Sequence, residues 1–174
     1  WSGLGRFRYH TFTAETLAAI APGHYDVKPN MTDDTAANGM TVRSMLVDTA
    51  LSAAWQRGPS VLLRLAFRDD LHEQYGAPTT VWVNATAVTP RKLSLQYGVF
   101  LKTSTRLPES AYISFANSPD MPGASSWEVG LLEQWVSPLS TIDGASKSLS
   151  AVGEGIRLTR ANGQRMTIRS VECG

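Results

Sequence analysis

At 174 residues, with sixteen basic against fifteen acidic side chains and a net charge of +1, the chain has the size of one domain and no field to steer nucleic acid or an anionic membrane. A single cysteine, Cys173, excludes an internal disulfide and a multi-cysteine metal site. No apolar run approaches the ~18 residues of a membrane-spanning helix.

The opening W-S-G-L-G-R-F, with a strand already under way at Arg6, reads as a processed chain or a piece of a longer protein. From Arg6 to Phe12 the residues alternate, so Phe7 and Tyr9 share one face of a strand and Arg6, Arg8 and His10 the other. Thr13 is placed to cap a short helical turn from Glu15 to Ala19, which Ala21-Pro22-Gly23 ends. His24 to Gly39 is polar and rich in turn residues, the pattern of a long surface loop.

Thr41 to Trp55 fits helical as well as strand spacing. Its ending favours a strand, because Gln56-Arg57-Gly58-Pro59 is a turn and Val61 to Phe67 is a second apolar run able to pair with it as a hairpin. Asp69 to Pro78 reads as a polar loop, and T-T-V-W-V-N-A-T-A-V after it as a strand, turned at Thr89-Pro90-Arg91-Lys92. In the next strand, Lys92 to Lys102, Leu93, Leu95, Tyr97, Val99 and Leu101 are expected inward and Ser94, Gln96 and Gly98 outward. An Arg106-Leu107-Pro108-Glu109 corner leads to a strand from Ala111 to Phe115, and Trp127 to Val136 reads as one further strand.

Register can be tested in the tail. A two-residue Asn162-Gly163 turn would put the apolar faces of its two strands out of step. With Ala161 and Asn162 in a type I turn and Gly163 left-handed, Leu158 faces Met166 and Ile156 faces Ile168. Many strands at roughly 10-residue spacing predict an all-β antiparallel sandwich, with at most one or two short helices, over one domain spanning residues 1–174.

The densest titratable cluster is Asp69, Asp70, His72 and Glu73, groups from which an acid/base pair or a carboxylate-histidine metal site of a small hydrolase is built. The spacing is no ligand motif, and a solvated loop is the better reading. His10 and His24 read as surface histidines. Arg106 and Glu109 flank Leu107-Pro108, and either pair with each other to fix the strand crossing or present a fork of donors to a sugar or carboxylate; the corner salt bridge is favoured. Trp82, Trp127 and Trp135 offer stacking surfaces for sugar rings, yet Trp82 and Trp127 sit at alternating positions that suit a core. Asn30-Met31-Thr32 and Asn84-Ala85-Thr86 are glycosylation sequons, the one sign of a secretory origin.

Four pieces in order, L-G-R-F-R-Y-H-T-F at Leu4 to Phe12, Y-G-A-P at Tyr75 to Pro78, T-R-L-P-E-S-A-Y-I-S-F at Thr105 to Phe115 and W-E-V-G at Trp127 to Gly130, resemble the C-terminal β region of an uncharacterised family related to family 38 glycoside hydrolases, the α-mannosidase-like group. The resemblance implies a sandwich of the mutarotase-like supersandwich type. It also implies a partner: a missing α/β catalytic domain of the same polypeptide, which would hold zinc, since nothing in this chain resembles the zinc ligands or the aspartate nucleophile. On that reading the chain has no cofactor or activity of its own and supports the active site, with Arg106 and Glu109 beside a sugar-binding cleft. The alternatives are a free carbohydrate- or protein-binding module, whose aromatic residues would lie exposed on one sheet face, and the small hydrolase built on Asp69 to Glu73.

Overall fold

The computed structural model describes residues 4–20, 43–105, 107–115, 125–140 and 152–171. In chain order its elements are β1 (Leu4–Thr11), α1 (Ala14–Ile20), β2 (Met45–Asp48), β3 (Ala50–Arg57), β4 (Ser60–Ala66), α2 (Asp69–Tyr75), β5 (Thr80–Thr89), β6 (Lys92–Phe100), β7 (Glu109–Phe115), β8 (Ser125–Leu131), β9 (Gln134–Val136), β10 (Gly155–Arg160) and β11 (Arg165–Ile168). Among the described residues all strand pairs are antiparallel and the two helices are short, so the all-β sandwich expectation holds. The chain divides into two compact units, Trp1–Ser118 and Pro119–Gly174.

In the first unit a three-stranded sheet, β2-β1-β7, and a four-stranded sheet, β3-β4-β5-β6, enclose the core. Alternation decides what enters it: Phe7 and Tyr9 from β1 meet Leu63 and Leu65 from β4 and Val81 and Val83 from β5, all buried. Phe67 lies between the sheets, with ring centroids 6.1 Å from Phe7 and 6.0 Å from Tyr9. Each such side chain withdrawn from water contributes about 1.5–3 kcal/mol before conformational entropy is subtracted. Thr13 caps α1 as its sequence position requires, its Oγ1 accepting from the Thr16 amide at 3.1 Å.

Three local expectations are corrected here. The described part of the Thr41 to Trp55 segment, from residue 43, contains β2 and the start of β3, which belong to different sheets. The chain changes sheets at Thr49, whose amide and hydroxyl both donate to the Phe7 carbonyl, at 3.3 and 3.0 Å. The Asp69 to Pro78 stretch contains a helix, because Leu71 and Tyr75 are spaced i, i+4 and both are buried beneath it. Gly76 ends that helix in the left-handed conformation, φ 66°, with its amide bonded to the His72 carbonyl at 2.8 Å. On β6 the alternation is present, but Leu95 and Tyr97 alone pack on the core, while Leu93, Val99 and Leu101 are 49, 45 and 74 % exposed. β6 is the edge of its sheet, with a neighbouring strand on one side only.

The β3–β4 hairpin turns at Gly58-Pro59 as expected: a positive φ of 56° at Gly58 followed by the fixed negative φ of proline is the II′ pattern.

Among the described residues the second unit is one four-stranded sheet, β11-β10-β8-β9. Its tail hairpin has the predicted register, Leu158 opposite Met166 and Ile156 opposite Ile168. Gly163 has φ 81° and donates its amide to the Arg160 carbonyl at 2.9 Å, closing the three-residue loop. The Trp127 to Val136 segment, expected as one strand, is the hairpin β8–β9, turned at Leu132-Glu133 with both residues at positive φ. No glycine, asparagine or proline marks that turn.

Candidate functional site

β5 carries two different surfaces. Val81, Val83 and Ala85 point into the core, so Trp82, Asn84 and Thr86, one step out of phase, stand on the outer face of the four-stranded sheet. Registered pairing extends that face sideways: Trp82 lies opposite Arg64 on β4 and Gly98 on β6, and Asn84 lies opposite Leu62 and Gln96. Trp55, opposite Leu62 on β3, belongs to the same face. The core position expected for Trp82 is therefore corrected. Two valines and an alanine fill the inward phase of β5, and the polar Asn84 shares the phase of the tryptophan.

On this face Trp55 stacks on Trp82 with centroids 5.5 Å apart and planes at 24°. Trp55 is 50 % exposed and Phe100 52 %. A Cβ at Gly98 would come within 2.9 Å of the Phe100 ring, so the missing side chain leaves room for that ring to lie along β6. Polar groups flank the aromatic ones. Asn84 Nδ2 donates to Gln96 Oε1 at 3.2 Å, and the exposed guanidinium of Arg64 has no carboxylate partner among the described residues. Ser60 and Thr86 hydroxyls pair at 2.8 Å at one end. Flat aromatic area beside planar amides and a donor fork suits a ligand with one apolar face and a rim of hydroxyls.

The other predicted positions fall elsewhere. Glu109 opens β7, where Lys102 Nζ reaches its Oε1 at 2.5 Å and the buried Tyr9 hydroxyl donates to its Oε2. The glutamate thus ties β1 and the chain after β6 to the corner, in which Leu107 and Pro108 are buried. Arg106 lies outside the described residues, as do Asn30, His24 and Cys173. The Asp69 to Glu73 cluster sits on α2 with Asp69, Asp70 and Glu73 exposed. Asp70 pairs with Arg68 at 3.2 Å, and His72 Nδ1 is held 2.6 Å from the Ala77 carbonyl oxygen. Among the described residues no group of three or more His, Cys, Asp or Glu is placed to hold a metal. His10 stands on the wet face of β1 between the rings of Phe12 and Tyr112, and burial together with Arg8 lowers its pKa.

In the second unit Trp127, opposite the buried Leu158, shares the phase of the buried Val129, the inward face expected for it, and is itself partly buried. Trp135 is in the other phase and is covered by Arg157, whose guanidinium lies 4.4 Å from the ring centroid while bonding Glu128 at 2.9 Å.

No protein-family model, curated protein or solved structure matches the chain. No helix among the described residues is long and apolar enough to cross a membrane.

Proposed function

We propose that this chain is a non-catalytic carbohydrate-binding β domain that works as part of a larger glycoside-hydrolase-like protein. The observation that carries the reading is the Trp55–Trp82 pair, two tryptophans held on an outer sheet face rather than in the core. An aromatic pair there leaves apolar surface in water, which sheet proteins ordinarily avoid unless something docks on it. The residues around it, Arg64, Asn84 and Gln96, supply donors and acceptors suited to hydroxyls. Among the described residues the face carries no carboxylate, which supports recognition as its chemistry, with hydrolysis left to another domain of the polypeptide.

A second observation favours the supporting role that the sequence resemblance implies. The edge strands β6 and β7 leave Leu93, Val99 and Ile113 49, 45 and 42 % exposed, apolar side chains available to a neighbouring domain.

Titration of the chain with soluble mannan, β-glucan and xylan oligosaccharides, followed by tryptophan fluorescence and calorimetry, tests the first reading. Saturable binding to one of these, weakened about tenfold or more by Trp55→Ala, is expected, since losing a central aromatic anchor typically removes at least 1.4 kcal/mol. Binding indifferent to Trp55 and Trp82, or none, overturns it.

A further inference from the structure

The register of β5 assigns a role to one of the two sequons. Asn84-Ala85-Thr86 sits on a central strand, paired on both sides, where a bulky sugar is tolerated on the outer face alone. A slip of one residue would drive it into the space of Val81 and Val83, which are fully buried. Asn84 is on the outer face, partly exposed, and its Nδ2 makes one long hydrogen bond, to Gln96 at 3.2 Å. Trp82 precedes it by two residues and therefore stands beside it on the same strand face, with Trp55 stacked against Trp82. A sugar attached at Asn84 would have an apolar surface next to its anchor.

We propose that Asn84 carries an N-linked glycan whose first sugar ring lies against the Trp55–Trp82 pair. The co-substrate is an oligosaccharide on a polyprenyl diphosphate. The amide nitrogen Nδ2 attacks the anomeric carbon, a C–N bond forms, and the bond from that carbon to the diphosphate oxygen breaks with its electron pair on the oxygen. One Nδ2 proton passes to the transferase. Transfer takes place on the unpaired chain, before β5 is enclosed between β4 and β6, and folding then lays the sugar on the aromatic pair. This goes beyond the binding reading: a covalent sugar occupies the same surface, so an occupied Asn84 competes with a free ligand.

The test uses the full chain in an Asn30→Gln background, made behind a secretion signal in eukaryotic cells and, separately, in bacteria. Peptide mapping by mass spectrometry reads occupancy at Asn84. An endoglycosidase then leaves a single N-acetylglucosamine, and thermal melting compares this form with the bacterial chain. The expected result is occupancy, a melting temperature higher by at least about 3 °C, and loss of that increment in Trp55→Ala. If Trp55→Ala does not fold, a change in tryptophan fluorescence between the single-sugar and bare chains is the second readout. An unmodified Asn84, an increment that is absent or survives Trp55→Ala, or unchanged fluorescence overturns the proposal. Oligosaccharide binding by the bacterial chain reports on the platform separately.

Discussion

Trp55 on β3 reaches across β4 to stack on Trp82 of β5, their ring centroids 5.5 Å apart, so two strands that are not hydrogen-bonded to each other are clasped from outside. An aromatic pair contributes about 0.5–1.5 kcal/mol beyond its buried area. Trp55→Ala should therefore lower stability by about 1 kcal/mol, because half of that side chain is already in water. Leu63→Ala, on the inner face of β4, should cost about 2–5 kcal/mol. Urea denaturation of both variants checks the contrast, and a Trp55→Ala loss as large as that of Leu63→Ala would show that the outer face is structural.

The alkaline limb of stability should come from two buried phenols. Burial, then the hydrogen bond to Glu109 and its charge, raises the pKa of Tyr9 far above its usual value, and burial pushes Tyr97 up to about 12. In the unfolded chain both lose their protons near pH 10. Above that pH the folded state holds protons that the unfolded state has released, so this stability is complete below pH 10 and is lost as pH rises through the folded values. Tyr9→Phe should make the decline shallower between about pH 10 and 12, by at most about 1.4 kcal/mol per pH unit. It should also lower stability at pH 7 by about 1–3 kcal/mol, because Glu109 Oε2 loses its donor. Denaturant midpoints at pH 7, 9.5 and 11 for wild type and variant decide it.

Much of this fold is legible in the residue order because period two is a local property. β1, the existence of β5, the Gly58-Pro59 turn and the tail hairpin follow from alternation and turn chemistry alone. Features set by tertiary position are not written locally. The switch of sheets at Thr49 depends on the Phe7 carbonyl 42 residues away, and the exposure of Leu93 and Val99 on β6 being an edge. α2 had a local signal, Leu71 and Tyr75 at i, i+4, masked by the charged residues between them. The aromatic face was also signalled: V-W-V-N-A-T puts an asparagine in phase with the tryptophan, so a dry inner face for the valines entails an outer face for Trp82. Trp55 carried no comparable mark, since its partner comes from another strand.

Gly76 should tolerate no side chain. It ends α2 at φ 66°, and a Cβ there would come within 2.6 Å of Thr105 Cγ2 and 2.8 Å of the Thr103 carbonyl oxygen, which is main chain and cannot swing away. The left-handed conformation alone costs a non-glycine residue about 1–2 kcal/mol, and the clash adds to it. Gly76→Ala is expected to destabilise by more than about 2 kcal/mol. Gly163→Ala, in the left-handed region at φ 81° but with no atom within 4 Å, should lose only the conformational part. Equal losses in the two variants, measured by thermal melting, would show that the packing against Thr103 and Thr105 is slack.

The β8–β9 turn offers the opposite opportunity. Leu131 pairs with Gln134, leaving a two-residue loop in which Leu132 has φ 48° and Glu133 φ 65°. Two positive φ values in a two-residue hairpin are the type I′ pattern, which asparagine followed by glycine adopts with least strain. Leucine gains nothing in exchange, since it is 93 % exposed. The contact worth keeping is made by the backbone: the Glu133 amide donates to Glu154 Oε1 at 2.8 Å, which glycine at that position preserves. Leu132→Asn with Glu133→Gly should therefore raise the stability of the second unit by about 1–2 kcal/mol through relief of backbone strain. Amide hydrogen exchange of β8 and β9, compared with that of β4 and β5 as an internal reference, reads the gain locally. Slower exchange confined to the second unit is the expected outcome, and no change there would mean that the turn is held without strain.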